Sequence, residues 1–327
     1  MNNTLSYPAW IDLHLHLDGS VPLSTARRLA DMQAIPAPVS EQEFKQLMSV
    51  RKDCKNLNDY LDRFAFPCSL LHTPEAIRQS MSDLLQELQR QGLRYAEIRF
   101  APQKSCEQGM SQMEVVQAAL QAMQDSPIPC GLILSMIRGA DNHAQNKETI
   151  AVAKALHGKG VVAVDLAGAE ALFPTHTFRE EFALVREAGV PLIIHAGEAD
   201  GAESVREAIE AGAVRIGHGV RALEDPTVVE MLVNRGVTLE LCPTSNLQTG
   251  IFASYEDYPL RRLMEAGVRV CLNTDNMTVS DTTLATEWQY MIDTQHLTQD
   301  EIQRIIHNTI DATFASEETK AALHQLV

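Results

Sequence analysis

No two of the six cysteines (Cys54, Cys68, Cys106, Cys130, Cys242, Cys271) form a C-x-x-C pair, and their scatter suits neither a disulfide scaffold nor a thiolate zinc site. They read as small core residues of a protein kept in a reducing cytoplasm. Positive charge is scarce as well: Lys plus Arg is 27 against 43 for Asp plus Glu, a formal net charge of −16. Such a chain repels a phosphate backbone or an anionic membrane surface at long range, which points away from nucleic acid and toward a small-molecule substrate. No stretch approaches the roughly 20 apolar residues that a membrane span needs. Met1 to Tyr7 has no basic segment followed by an apolar run, so no secretory signal is expected. Low-complexity tracts and close repeats are also missing.

What the chain has is alternation. Eight short apolar runs, Ala9 to His14, Tyr95 to Phe100, Gly131 to Ile137, Val161 to Leu166, Pro191 to His195, Val214 to His218, Val237 to Cys242 and Val268 to Leu272, are separated by longer amphipathic stretches. Near-continuous hydrophobicity is the mark of strands covered on both faces by helices. The stretches between them carry helix starts: Thr73-Pro-Glu and Asp225-Pro-Thr put an N-cap before a proline, and Thr298-Gln-Asp-Glu301 is a capping box. Several end in a glycine just before the next run, as at Gly92, Gly189, Gly236 and Gly267. Eight such units over residues 1–327 predict a single α/β domain, a (β/α)8 TIM-type barrel. Strand counting does not show closure, so an open doubly wound sheet is the alternative. The interval from about 20 to 90 is several times the usual strand-to-strand spacing. Its segments Glu41 to Ser49 and Leu57 to Leu71 have helical patterns, so it reads as a helical insertion on the catalytic face, either a lid or helices that merely pack there.

In such a barrel the chemistry sits at the C-terminal ends of the strands. The first run ends His14-x-His16, two side chains on one side of the sheet and able to close on one ion. The fifth ends His195-Ala-Gly-Glu198, the sixth Gly217-His218-Gly219 and the eighth Asn273-Thr-Asp275-Asn276. Any one of these alone reads as an ordinary histidine or a helix N-cap. Three histidines and a carboxylate at strand ends, with a fourth histidine close by, are a donor set suited to zinc. The remaining histidines, His72, His143, His157, His176, His296, His307 and His324, read as surface residues.

These motifs, with Asp165-Leu-Ala-Gly168 and Cys242-Pro-Thr-Ser-Asn246, run from residue 12 to 276 in the order found in the adenosine and AMP deaminase branch of the metal-dependent amidohydrolases, which the chain resembles. The resemblance implies one zinc ion held by His14, His16, His195 and Asp275, and hydrolytic deamination of adenosine and 2′-deoxyadenosine. It implies that Glu198 protonates purine N1, that His218 orients the attacking water and helps to deprotonate it, and that His16, Asp18, Gly168 and Asn276 contact the substrate. Gly168 matches a glycine whose amide meets N3. Asp18 matches an aspartate near the ribose 5′-hydroxyl, where adenine deaminases tend to carry Glu, so a nucleoside is favoured over the free base.

There are two departures from the family pattern. Asn276 replaces the commoner second aspartate, and its amide can donate to N7 at any pH. Ala169 stands where a polar residue is common, and nothing in the sequence explains it. Two other designs are disfavoured. The fourth run offers no lysine to bridge two metals, and the His-x-Glu and Pro-Cys-x-x-Cys signature of the other zinc deaminases is missing. The alternatives that stay open are deamination of adenine or another 6-aminopurine, and another mononuclear amidohydrolase reaction.

Overall fold

The computed structural model describes residues 10–327; Ala9 and the stretch Met1 to Tyr7 lie outside the described residues. Eight parallel strands follow one another around one sheet in chain order. They are β1 (Trp10–His16), β2 (Leu93–Phe100), β3 (Cys130–Ile137), β4 (Val161–Ala167), β5 (Leu192–Ala196), β6 (Arg215–His218), β7 (Thr238–Leu241) and β8 (Arg269–Leu272). Each falls on one of the expected apolar runs. The open-sheet alternative fails at the seam between β8 and β1. There the Asp275 amide donates to the His14 carbonyl, the His16 amide donates to the Asp275 carbonyl, both at 2.8 Å, and the Leu13 amide donates to Asn273 Oδ1 at 2.9 Å. The sheet is a (β/α)8 barrel.

The helix signals act as their chemistry requires. Thr73 accepts the Ala76 amide at 3.1 Å at the start of Pro74–Arg90, Asp225 accepts the Thr227 amide at 2.8 Å, and the Thr298–Glu301 capping box is present. Between β1 and Pro74–Arg90 lie five short helices: Leu17–Ser20, Leu23–Met32, Glu41–Met48, Leu57–Leu61 and Ala65–Ser69. The helix expected over 57–71 is broken by a 3-10 turn at Asp62–Phe64. Pro67 has no amide hydrogen to continue the ladder from the preceding turn, so the chain tightens before it.

The barrel interior is not purely apolar. Arg99, Arg215, Glu97, Asp165 and Glu240 are buried there. Glu240 meets Arg99 at 2.8 Å and Arg215 at 2.7 Å, and Arg215 reaches Glu97 at 2.5 Å. Buried charges are tolerable only when so paired, and losing one partner strands the others. This ionic layer lies beneath the strand ends, and two of its members, Asp165 and Glu240, reach the site.

Candidate active site

The predicted residues converge at the C-terminal mouth of the barrel. His14 and His16 come from β1, His195 from β5, His218 from the end of β6, and Asp275 from just past β8. The rings of His14 and His16 lie 5.3 Å apart and those of His14 and His195 4.5 Å apart. His14, His195, His218 and Asp275 each offer one ligand atom, all within 4.8 Å of one another. His16 Nε2 adds to the group, 3.3 Å from His195 Nε2 and 3.5 Å from Asp275 Oδ1. Gly217 makes the crowding possible, since a Cβ there would stand 2.9 Å from His14 Cε1 and 3.1 Å from His195 Cγ. His218 and Asp275 hold φ at +61°, a conformation that costs a non-glycine residue about 1–3 kcal/mol and that aims both side chains inward.

Outer carboxylates fix the rings. His14 Nδ1 lies 2.8 Å from Glu240 Oε2, and His195 Nδ1 lies 3.0 Å from Asp165 Oδ1. A ring nitrogen facing a carboxylate keeps the proton, which leaves Nε2 of each ring bare and turned to the centre. His14 Nε2 is buried without a hydrogen-bond partner, a costly state for a lone pair unless a cation meets it. Bare imidazole nitrogens beside a carboxylate suit a divalent metal such as zinc, so the residues fit the ion that the resemblance implies.

His218 is set the other way. The Tyr258 hydroxyl donates to Asn246 Oδ1 at 2.9 Å, which turns Asn246 Nδ2 toward His218 Nδ1 at 3.0 Å. Nδ1 must therefore accept, and the proton of the neutral ring sits on Nε2, which lies 3.5 Å from Glu198 Oε2.

Burial drives His16 and His218 well below the usual histidine range, so both rings are neutral at pH 7. Burial alone would raise Asp275, but the surrounding imidazoles of His14, His218 and His16 hold it low and ionised. Burial, then the charges of Asp275 and Glu170, push Glu198 well above the usual carboxylate range. A buried neutral acid thus stands beside the neutral rings of His16 and His218.

Above these groups opens a cavity of about 610 Å³ whose wall includes His16, Asp18, Gly168, Glu198, His218 and Asn276. Tyr60, Phe64, Ala65 and Cys68, from the helices after β1, close one side of it. Burial raises the Asp18 carboxyl to about 6, and Cys68 Sγ donates to it at 3.7 Å. One expectation is corrected. His72, read as a surface residue, is buried in the cavity wall, because its segment folds inward between Ala65–Ser69 and Pro74–Arg90.

Glu240, Asp165, Asn246, Tyr258 and Glu170 were not assigned roles from sequence. For Asp165 and Glu240 a signal existed, since a carboxylate inside an apolar run has to be paired with something.

The fold and the histidine–aspartate cluster define a hydrolase of the metal-dependent amidohydrolase type. Residues 10–327 match the adenosine deaminase family. An adenosine deaminase of Haemophilus ducreyi is 48% identical over 96% of this chain and 94% of its own length. One of Enterococcus faecalis is 38% identical over 97% and 95%. Among solved structures, an adenine deaminase of Arthrobacter aurescens superposes with a TM-score of 0.87 at 26% identity, covering 98% of each chain. The Arabidopsis N6-mAMP deaminase shares the fold, with a TM-score of 0.86 at 23% identity over 100% and 99%. The chain belongs to the adenosine deaminase family and is a hydrolase acting on C–N bonds.

Proposed function

We propose that the chain carries out the zinc-dependent hydrolytic deamination of adenosine and 2′-deoxyadenosine to inosine and 2′-deoxyinosine, with release of ammonia. The observation that carries this reading is Glu198, a buried neutral acid 3.5 Å from His218 Nε2 in the wall of the cavity of about 610 Å³. His14, His16, His195 and Asp275 would hold the zinc. When bound, zinc lowers the pKa of water to about 7 and so supplies a nucleophile at neutral pH. His218 donates through Nε2 and orients the attacking water. Glu198 gives its proton to N1 as the water oxygen adds to C6, which relieves the charge that addition would otherwise leave on the ring. Of the water's two protons, one leaves with ammonia and the other restores Glu198. The Gly168 backbone meets N3, the Asn276 amide donates to N7, and Asp18 accepts the ribose 5′-hydroxyl.

In this reading the chain is one catalytic domain in the cytoplasm, and the helices between about 20 and 90 are a lid over the nucleoside. A second reading, deamination of free adenine or another 6-aminopurine, is favoured by the likeness to the Arthrobacter structure. Ammonia release from adenosine, 2′-deoxyadenosine and adenine, with and without prior removal of metal by a chelator, separates the two. Zinc-restorable release from the nucleosides alone is the expected result; release from adenine alone would keep the chemistry and overturn the substrate.

A further inference from the structure

Glu170 follows β4, two residues after Gly168, and is 1% exposed. No ion pair neutralises its carboxylate among the described residues. Instead, four consecutive amides of the loop after β5 converge on it. Gly197 donates to Oε1 at 2.7 Å, while Glu198, Ala199 and Asp200 donate to Oε2 at 3.0, 2.7 and 3.0 Å. The Ser204 hydroxyl adds a fifth bond, to Oε1 at 2.5 Å. Such a cradle of backbone donors is what fixes an anion, and here the anion is part of the chain. The cradle needs Gly197 at φ +68°, and the helix that follows, Ala202–Ala211, has no side-chain cap of its own.

We propose that Glu170 is the positioning residue for Glu198: it anchors the main chain of the acid itself and ties that loop to the segment bearing Gly168. The inference rests on the role given to Glu198 above. Gly168 and Glu198 face two edges of one purine in that reading. Glu170, joined covalently to the first and by hydrogen bonds to the second, sets the distance between ring recognition and proton delivery. A neutral amide cannot replace it, because Gln presents an NH2 group to one set of donors whichever way it turns.

The test is a cycle of Glu170→Gln, Glu198→Gln and the double variant in the zinc-loaded full chain, reading kcat, KM, metal content and melting temperature. Misplacing a reacting group by about 1 Å costs on the order of 10²-fold. Glu170→Gln is therefore expected to lower kcat by that factor with KM within about threefold, and the double variant to be no slower than Glu198→Gln alone, as for residues that act as a unit. Losses that multiply in the double variant, or an unchanged kcat in a folded and metal-loaded Glu170→Gln, would overturn the proposal. Should that variant fail to fold, Ser204→Ala removes one of the five bonds. A kcat loss absent from the Ser204→Ala, Glu198→Gln double variant then supports the proposal, and an unchanged kcat overturns it. Absence of turnover in the unsubstituted protein would instead defeat the functional reading itself.

Discussion

Glu198→Gln separates acid catalysis from metal binding and folding more cleanly than any other single change. The side chain is nearly isosteric, is 4% exposed, and lies 3.5 Å from His218, which is not among the four residues assigned to the ion. Positioned general acids contribute about 10²–10⁴-fold, so kcat should fall by that factor, equivalent to roughly 3–5 kcal/mol at 1.36 kcal/mol per decade. KM should change little, since the proton is transferred only as water adds.

Stability should move the other way, and with pH. Burial holds the folded carboxyl well above its unfolded value. At low pH both states keep the proton and the group contributes no pH dependence. As pH rises past the unfolded carboxyl's range, about 4.3, the unfolded chain releases its proton while the folded chain retains it, and stability falls by up to about 1.4 kcal/mol per pH unit until the folded group titrates. Gln has no such penalty. The variant should therefore melt no lower than the unsubstituted enzyme at pH 5 and higher at pH 8. The assay is the spectral change from adenosine to inosine, beside metal analysis and melting curves at the two pH values. Turnover within tenfold of the unsubstituted enzyme, or loss of metal, would refute the assignment of Glu198 as the acid.

Glu240→Gln removes both the partner of His14 and the anion between Arg99 and Arg215; it should weaken metal binding about 10- to 100-fold and lower stability by about 3–5 kcal/mol, measured by competition with a chelating dye and by chemical denaturation. Asp18→Ala should raise KM for adenosine roughly 10- to 100-fold, the value of a hydrogen bond to a charged group, and leave any slow turnover of free adenine as it was. Gly19→Ala places a Cβ 1.8 Å from Asn276 Oδ1, so it should displace that side chain at an overpacking cost of about 1–3 kcal/mol. Reduced activity with full metal occupancy is the expected result, checked by kinetics and metal analysis on the same sample.

The strands were legible because a β/α barrel buries both faces of its sheet, so each strand is a compact apolar run closed by a glycine or a polar residue. The histidines were legible for a related reason: His14, His195 and His218 interrupt hydrophobic sequence at strand ends, where burial of a polar group demands an explanation. The groups that orient them were not. Asp165 sits in Val-Asp-Leu and Glu240 in Leu-Glu-Leu, and only the barrel's curvature shows which imidazole each faces. Asn246 and Tyr258 act through a hydrogen-bond direction, which has no periodicity to read. Glu170 collects amides that any residue could supply, so nothing in residues 197–200 announces it. His72 was misread because a histidine in a short connection between helices looks solvated until the neighbouring helices are placed.

The seam has a consequence for how the protein comes to exist. Leu13 and Asn273, 260 positions apart, are joined by the bonds that also bring Asp275 against His14 and His16. β1 carries two of the four histidines at the site, but its partner β8 is made some 260 residues later. A nascent chain therefore carries a row of unpaired strand groups and an incomplete set of donors until β8 and Asp275 have been made. Truncation anywhere before residue 275 yields a fragment with an open edge and no centre, so proteolytic nicking or premature termination removes enclosure and chemistry in one event.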